Sequence, residues 1–145
     1  PDENVFLFFV FIFFFEVHKL LIFVFFSGSS HDINTFYALA DLVVTASTDP
    51  EAFGRVAVEA QAMGKFIIAS NHGGSKETVI DNETGYLFLP NDAEDLTKKL
   101  QNSIESEIYK QPETIKSCIN HIKKNFTKIR MCDETIKFYK TVLDE

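Results

Sequence analysis

Short apolar runs alternate with segments of helical periodicity between residues 27 and 90, and this alternation constrains the fold most strongly. Strands that are continuous apolar runs are typical of parallel sheets buried on both faces. Strands and helices in alternation predict βαβ units, and therefore an α/β, Rossmann-like parallel sheet with helices on both faces. The predicted strands are residues 42–46, 66–69 and 86–89. The predicted helices are residues 32–40 and 54–63, and residues 76–80 form a short element of uncertain type.

Three further helices are predicted after Pro90. Asn91 or Asp92 caps the first of them, and Pro112 lies in the first turn of the second. The last helix is predicted from about Met131 to Leu143. Residues 96–145 carry ten basic against seven acidic side chains, which we interpret as a solvated helical face in preference to a contact with an anionic surface.

Length and charge restrict the function classes. A chain of 145 residues fits one domain with a hydrophobic core of its own. Its net charge of −7 argues against nucleic-acid binding, which needs clustered lysine and arginine. Cys118 and Cys132 lack a C-x-x-C partner, so free thiols are expected instead of a metal or redox motif.

Residues 1–26 contain ten of the 16 phenylalanines, in two apolar runs at residues 5–15 and 20–26. We favour two buried strands of the parallel sheet. A transmembrane helix over residues 5–26 is long enough, but Glu16, His18 and Lys19 near its centre make it costly. A third interpretation is a damaged N-terminal part of the domain, as a shifted reading frame would produce.

Two loops follow predicted strands at the same edge of the sheet, residues 47–53 and 71–75. Ligands of open α/β sheets bind at the carboxyl ends of the strands, so both loops are expected to line one cleft. In the second loop, the amides of Gly73 and Gly74 are expected to face a ligand. His72 is a candidate donor to a phosphate or a sugar hydroxyl, although a single loop histidine is more often structural or solvated.

The first loop leads into the helix at residues 54–63. Gly54 permits a close approach of backbone, and the free amides of Arg55 and Val56 form a candidate site for a diphosphate. Glu59 is placed to accept two hydroxyl hydrogen bonds, as a ribose diol offers. On spacing alone a structural interpretation is favoured, in which Arg55 and Glu59 are a surface ion pair and Glu51 merely complements the helix dipole.

The run ASTDPEAFGRVAVEAQAMG at residues 46–64 resembles the E-x7-E motif of retaining GT-B glycosyltransferases of the family 4 type. The segments that precede and follow it, HGGSKE at residues 72–77 and TGYLF at residues 84–88 among them, resemble the same family. The resemblance covers residues 24–145 and implies that residues 27–145 are the C-terminal, nucleotide-sugar-binding domain of a GT-B fold.

The resemblance implies a role for each matched residue. Glu51 contacts the donor sugar near the reacting centre, and Glu59 binds the ribose hydroxyls. Phe53 and Gly54 shape the pocket of the donor sugar. Arg55 and Val56 bind the diphosphate through their amides. Gly73 and Gly74 lie beside the sugar and the phosphates.

The family transfers a hexose from a UDP- or GDP-linked donor to a glycan or a lipid-linked acceptor, with retention of configuration and usually without a metal or other cofactor. The residues of the motif at positions 52–61 resemble those of bacterial lipopolysaccharide-core transferases. The resemblance therefore implies a cytoplasmic protein, with peripheral contact at the inner face of the membrane as an alternative.

The sequence departs from the family pattern in three respects. Phe66 stands where proline is usual. The arginine and lysine that hold the diphosphate are missing, since residues 1–26 offer only Lys19. We expect the N-terminal acceptor-binding domain to be missing and this chain alone to be inactive. The alternatives are a non-catalytic remnant that binds nucleotide weakly, a membrane-anchored protein, and, ranked low, a sugar-nucleotide epimerase of the same fold.

Overall fold

The computed structural model describes residues 33–143. The three interpretations of residues 1–26 lie outside the described residues, as does Asp32, the first residue of the predicted helix at residues 32–40. Within the described residues no helix is long and apolar enough to span a bilayer.

A three-stranded parallel sheet organises the domain. Its strands are β1 (Leu42–Thr45), β2 (Phe66–Ser70) and β3 (Gly85–Phe88), in the order β1-β2-β3. Val43 is opposite Ile67, and Ile68 is opposite Tyr86. All three predicted strands are confirmed, with ends that differ by one residue. Sheet order follows chain order because a helix-containing connection follows each of the first two strands.

One face of the sheet is covered by α1 (Ile33–Leu39) and α2 (Arg55–Ala62). Alternate strand residues point to opposite faces, so every second side chain meets these helices. The buried cluster on this face contains no charged side chain and is made of Tyr37, Ala40, Val43, Ala57, Ala60, Ile67, Ala69 and Val79.

The opposite face is covered by α4 (Ala93–Ser106) and a 3-10 helix (Ile108–Lys110). Its buried cluster consists of Leu42, Val44, Phe66, Ile68, Phe88 and Tyr109. The predicted sheet with helices on both faces is therefore confirmed. Phe66, the departure from the family pattern, is fully buried and packs edge-on against Tyr86 with ring centroids 5.0 Å apart, so this face accommodates it.

The shorter elements agree with most of the sequence predictions. The segment of uncertain type contains the single helical turn α3 (Ser75–Thr78). Asp92, one of the two predicted caps, accepts a hydrogen bond from the Asp95 amide at 2.9 Å. Pro112 begins α5 (Pro112–Asn125), as predicted. Both cysteines are free, and burial raises the pKa of the Cys118 thiol to about 12, so it stays protonated.

The last helix, α6 (Lys128–Leu143), begins three residues earlier than predicted, because Thr127 Oγ1 caps it by accepting from the Arg130 amide at 3.2 Å. No residue of α6 is buried. Its exposed apolar side chains occupy about half of the helix circumference at about 100° per residue. They are Ile129, Met131, Ile136, Phe138, Tyr139, Val142 and Leu143.

Gly64 ends α2 with φ = +74°, a left-handed conformation that glycine adopts without strain. A Cβ at this position would lie 2.9 Å from Ile115 Cγ2 and 3.3 Å from Ile119 Cδ1. The missing side chain therefore lets α5 pack directly against the end of α2.

We expect Gly64→Ala to lower the free energy of unfolding by about 1–3 kcal/mol, since it combines backbone strain with overpacking against α5. Urea unfolding of the full chain measures this. Asn91→Gly is the matched control, because Asn91 also has a positive φ, of 62°, but is exposed, and glycine relieves strain there. A change below 0.5 kcal/mol for Gly64→Ala, within the range of ordinary surface substitutions of about ±0.5 kcal/mol, would contradict the packing described.

Candidate functional site

The loops that follow β1 and β2 meet at the carboxyl edge of the sheet, as predicted. The Gly74 amide donates a hydrogen bond to the Glu51 carbonyl oxygen at 2.7 Å. His72 Nε2 lies 2.8 Å from the Ser47 carbonyl oxygen. Two hydrogen bonds between residues more than 20 positions apart thus join the loops into one surface.

The two glycines of the second loop are needed because the loops touch through their backbones. A Cβ at Gly73, whose φ is +54°, would lie 2.3 Å from the Glu51 carbonyl oxygen. A Cβ at Gly74 would lie 2.4 Å from the Phe53 carbonyl carbon. The Gly74 amide, expected to face a ligand, instead donates to Glu51. This glycine pair therefore positions the first loop.

His72 also has a role inside the protein. A carbonyl oxygen only accepts hydrogen bonds, so Nε2 carries the proton that is donated to Ser47. This nitrogen joins the two loops, as the structural interpretation of a single loop histidine expects. A hydrogen bond from His72 to a phosphate or a sugar hydroxyl stays a prediction.

Glu51 lies half-buried at the centre of this contact. One carboxylate oxygen, Oε1, accepts a hydrogen bond from the Ser47 hydroxyl. The other, Oε2, would lie 3.6 Å from a Cβ built at Gly54, which has φ = +78°. The carboxylate is therefore held beside the start of α2. Sequence reasoning missed Ser47, although its position four residues before Glu51 in the same loop made the contact possible.

The first turn of α2 is open. Gly54 is its N-cap and supplies no side-chain hydrogen bond, while the Gly54 carbonyl accepts from Ala57 and Val58. The first amides of a helix have no partner inside the helix, so those of Arg55 and Val56 depend on a capping group or a ligand. Among residues 33–143, none caps the two amides that the sequence predicted as a diphosphate site.

Glu59 lies one turn further along α2, and both of its carboxylate oxygens are engaged. Oε1 accepts from Arg55 at 3.1 Å, and Oε2 accepts from the Tyr37 hydroxyl at 3.0 Å. The surface ion pair considered from spacing is therefore present, and exposed pairs of this kind contribute about 0–1 kcal/mol. The bond from Tyr37 was not foreseen, because the sequence placed Tyr37 only within the predicted helix at residues 32–40.

An open cleft of about 1060 Å³ extends from the start of α2 to the start of α6. Phe53 is half-exposed and packs edge-on against Phe126, with ring centroids 5.9 Å apart. Arg55, Lys128 and Arg130 also line this cleft, so it has a mixed apolar and basic surface. Lys19, the sole cation of residues 1–26, lies outside the described residues.

The junction of α5 and α6 is tied to the site through His121. His121 Nε2 lies 3.2 Å from the Thr78 carbonyl, and Nδ1 lies 3.1 Å from the Asn125 amide nitrogen. The carbonyl requires a proton on Nε2, which leaves Nδ1 to accept from Asn125. The ring of Phe126 packs on His121 with centroids 5.4 Å apart. These contacts fix the cleft wall that Phe53 meets.

The chain is similar to known glycosyltransferases. The family described as glycosyl transferases group 1 matches residues 15–125. The lipopolysaccharide 1,2-N-acetylglucosaminetransferase of Salmonella typhimurium is 39% identical over 95 residues, which cover 63% of this chain and 25% of that protein.

Solved structures agree in fold. A glycosyltransferase from Rickettsia africae is 34% identical with a TM-score of 0.70, covering 81% of this chain and 31% of that one. Anabaena Alr3699/HepE in complex with UDP-glucose is 28% identical with a TM-score of 0.71, covering 79% of this chain and 31% of that one. The chain thus spans between a quarter and a third of the length of these relatives.

The loop contact leads to a testable expectation. Gly74→Ala places a methyl group against the Phe53 backbone, so the loops must separate, and we expect a loss of about 1–3 kcal/mol in unfolding free energy. Urea unfolding measures it, with Lys76→Ala, an exposed position of the adjacent turn, as control. Equal stability of Gly74→Ala and the control would contradict a direct backbone contact.

Proposed function

Because this chain belongs to the glycosyl transferases group 1 family, we propose that residues 27–145 bind the nucleotide-diphosphate end of a sugar donor. The parent enzyme transfers a hexose from this donor to a glycan or lipid-linked acceptor with retention of configuration. The observation that carries the proposal is the uncapped first turn of α2 with a fixed carboxylate on either side of it, Glu51 before it and Glu59 after it.

The start of α2 suits the diphosphate. Its free amides and the positive end of the helix dipole attract an anion, although the described middle of the chain is acidic. In our proposal the amides of Arg55 and Val56 bind the phosphates. Charge that develops on the leaving diphosphate is stabilised by the same groups. No metal or other cofactor is required for this step.

Glu51 and Glu59 take different roles in the proposal. Glu51, held against Ser47 in the loop contact, faces the donor sugar near its reacting carbon. Glu59 accepts the ribose hydroxyls with the lone pairs that Tyr37 and Arg55 leave unused. Phe53 and Gly54 shape the sugar pocket. Gly73 and Gly74 lie beside the sugar and phosphates and contact the backbone of Glu51 and Phe53.

The donor is a UDP- or GDP-linked hexose. The structural neighbour from Anabaena was solved with UDP-glucose, which supports a nucleotide sugar. The Salmonella relative acts on lipopolysaccharide, which supports an acceptor of lipopolysaccharide-core type. Such an acceptor is assembled on a membrane, so our proposal includes peripheral contact of the enzyme with its inner face.

We further propose that an N-terminal GT-B domain completes the enzyme and that this chain alone does not turn over. The relatives are three to four times longer than the matched region, and α6 presents an apolar face that no described residue covers. A second domain over the cleft at Phe53 would exclude water from the reacting centre.

Calorimetry of the folded full chain with UDP and with GDP tests the binding proposal. Heat of binding with at least one of the two is expected, and Glu59→Ala should weaken it roughly 10- to 100-fold, because a charge-assisted hydrogen bond contributes about 1.5–3 kcal/mol. Glu105→Ala removes an exposed acid on α4 and serves as control. No heat with either nucleotide would favour the non-catalytic remnant and refute the proposal.

The division of roles is tested in the enzyme that includes its acceptor domain. Glu51→Gln is expected to lower kcat strongly, roughly 100-fold or more, while nucleotide affinity stays nearly unchanged, since it removes a charge that acts in the transition state. Glu59→Ala is expected to raise the Kd of the nucleotide. Steady-state kinetics and calorimetry measure both, and equal effects of the two changes on both parameters would rule out separate roles.

A further inference from the structure

The carboxylate of Glu59 is held by two donors of different mobility. Tyr37 belongs to α1 and is fully buried in the cluster that α1 and α2 form with the sheet. Arg55 lies on the same helix as Glu59, and 83% of its side chain is exposed. The tyrosine ring is therefore fixed by packing, whereas the guanidinium is free to exchange partners.

The protonation state of Tyr37 suits a permanent donor. Burial, followed by the negative charge of Glu59, raises the pKa of its hydroxyl well above the ordinary value. The hydroxyl is therefore protonated at neutral pH and donates a hydrogen bond of 3.0 Å to Glu59 Oε2. This bond joins α1 to α2, which are 22 residues apart at this contact.

The remaining acceptor capacity of Glu59 matches a diol. A carboxylate offers about four lone-pair positions, of which Tyr37 and Arg55 occupy one each. About two lone-pair positions remain free, and 33% of the Glu59 side chain is exposed, so a ligand can reach them. A buried donor at Oε2 restricts the rotation of the carboxylate, so the direction of these free lone pairs is fixed before a ligand arrives.

We propose that Tyr37 is a positioning residue: its buried hydroxyl orients the Glu59 carboxylate to accept the two ribose hydroxyls of a nucleoside diphosphate. This inference rests on the proposed function, because it assumes that Glu59 meets the ribose. It adds a residue from α1 that acts on the ligand indirectly, through Glu59. Pre-orientation of this kind raises affinity by lowering the entropy lost on binding.

Calorimetry with the full chain tests the proposal with Tyr37→Phe, which removes one oxygen and keeps the ring that packs in the core. We expect the Kd for UDP or GDP, whichever binds, to rise roughly five- to tenfold, as the loss of part of a charge-assisted bond predicts. Tyr139→Phe, an exposed tyrosine of α6, is the matched control and should leave the Kd unchanged.

Two further ligands separate positioning from a general structural effect. The 2′,3′-dideoxy form of the same nucleotide lacks the diol, and inorganic pyrophosphate lacks the nucleoside. Tyr37→Phe should bind both as the wild-type chain does. Equal weakening of all three ligands would show that the change merely loosens the domain, and would overturn the proposal.

The wild-type chain provides a second measurement that does not depend on how well Tyr37→Phe folds. The hydroxyl proton of Tyr37 should be visible by NMR, because burial slows its exchange, and its resonance should shift with the nucleotide but not with pyrophosphate. A resonance that does not move at saturating nucleotide would overturn the inference. If the wild-type chain binds the nucleotide and Tyr37→Phe binds it with the same Kd, the role of Tyr37 is overturned but the proposed function stands. If the wild-type chain does not bind the nucleotide, both are overturned.

Discussion

The candidate site depends on one contact, the direct approach of the backbone at Gly73 and Gly74 to the backbone at Glu51 and Phe53. There is no room for a side chain between them, since a Cβ at either glycine would lie within 2.4 Å of a backbone atom. Two hydrogen bonds, from the Gly74 amide to the Glu51 carbonyl and from His72 to the Ser47 carbonyl, also join these two loops. The loop after β1 thereby takes its shape from the loop after β2, and Glu51 takes its position from both.

The two carboxylates of the site are held by different parts of the fold. Glu51 depends on loop geometry and on the Ser47 hydroxyl, so its position responds to anything that moves the glycine turn. Glu59 depends on the packed core through Tyr37, and therefore on the docking of α1 against α2. The open first turn of α2 lies between them. A loop thus positions the group proposed for chemistry, while the core positions the group proposed for recognition.

The sequence predicted the elements well and their contacts poorly. Apolar runs located β1, β2 and β3 to within one residue, because burial on both faces leaves a continuous pattern. Periodicity cannot show which partner a residue finds across the chain, so the roles of His72 and Gly74 as loop contacts and the bond from Tyr37 were missed. The start of α6 was placed too late, because the cap at Thr127 was overlooked. The strand prediction for residues 1–26 stays a prediction.

Binding of an anionic nucleotide at the open first turn of α2 is best tested by an amide chemical-shift titration of the ¹⁵N-labelled full chain with UDP and GDP. We expect the largest shifts on the amides of Arg55 and Val56 and smaller shifts at Glu59. No comparable shift is expected in the exposed groove of α4 between Ala93 and Gln101. Saturable shifts confined to other elements, or none with either nucleotide, would contradict binding at this turn.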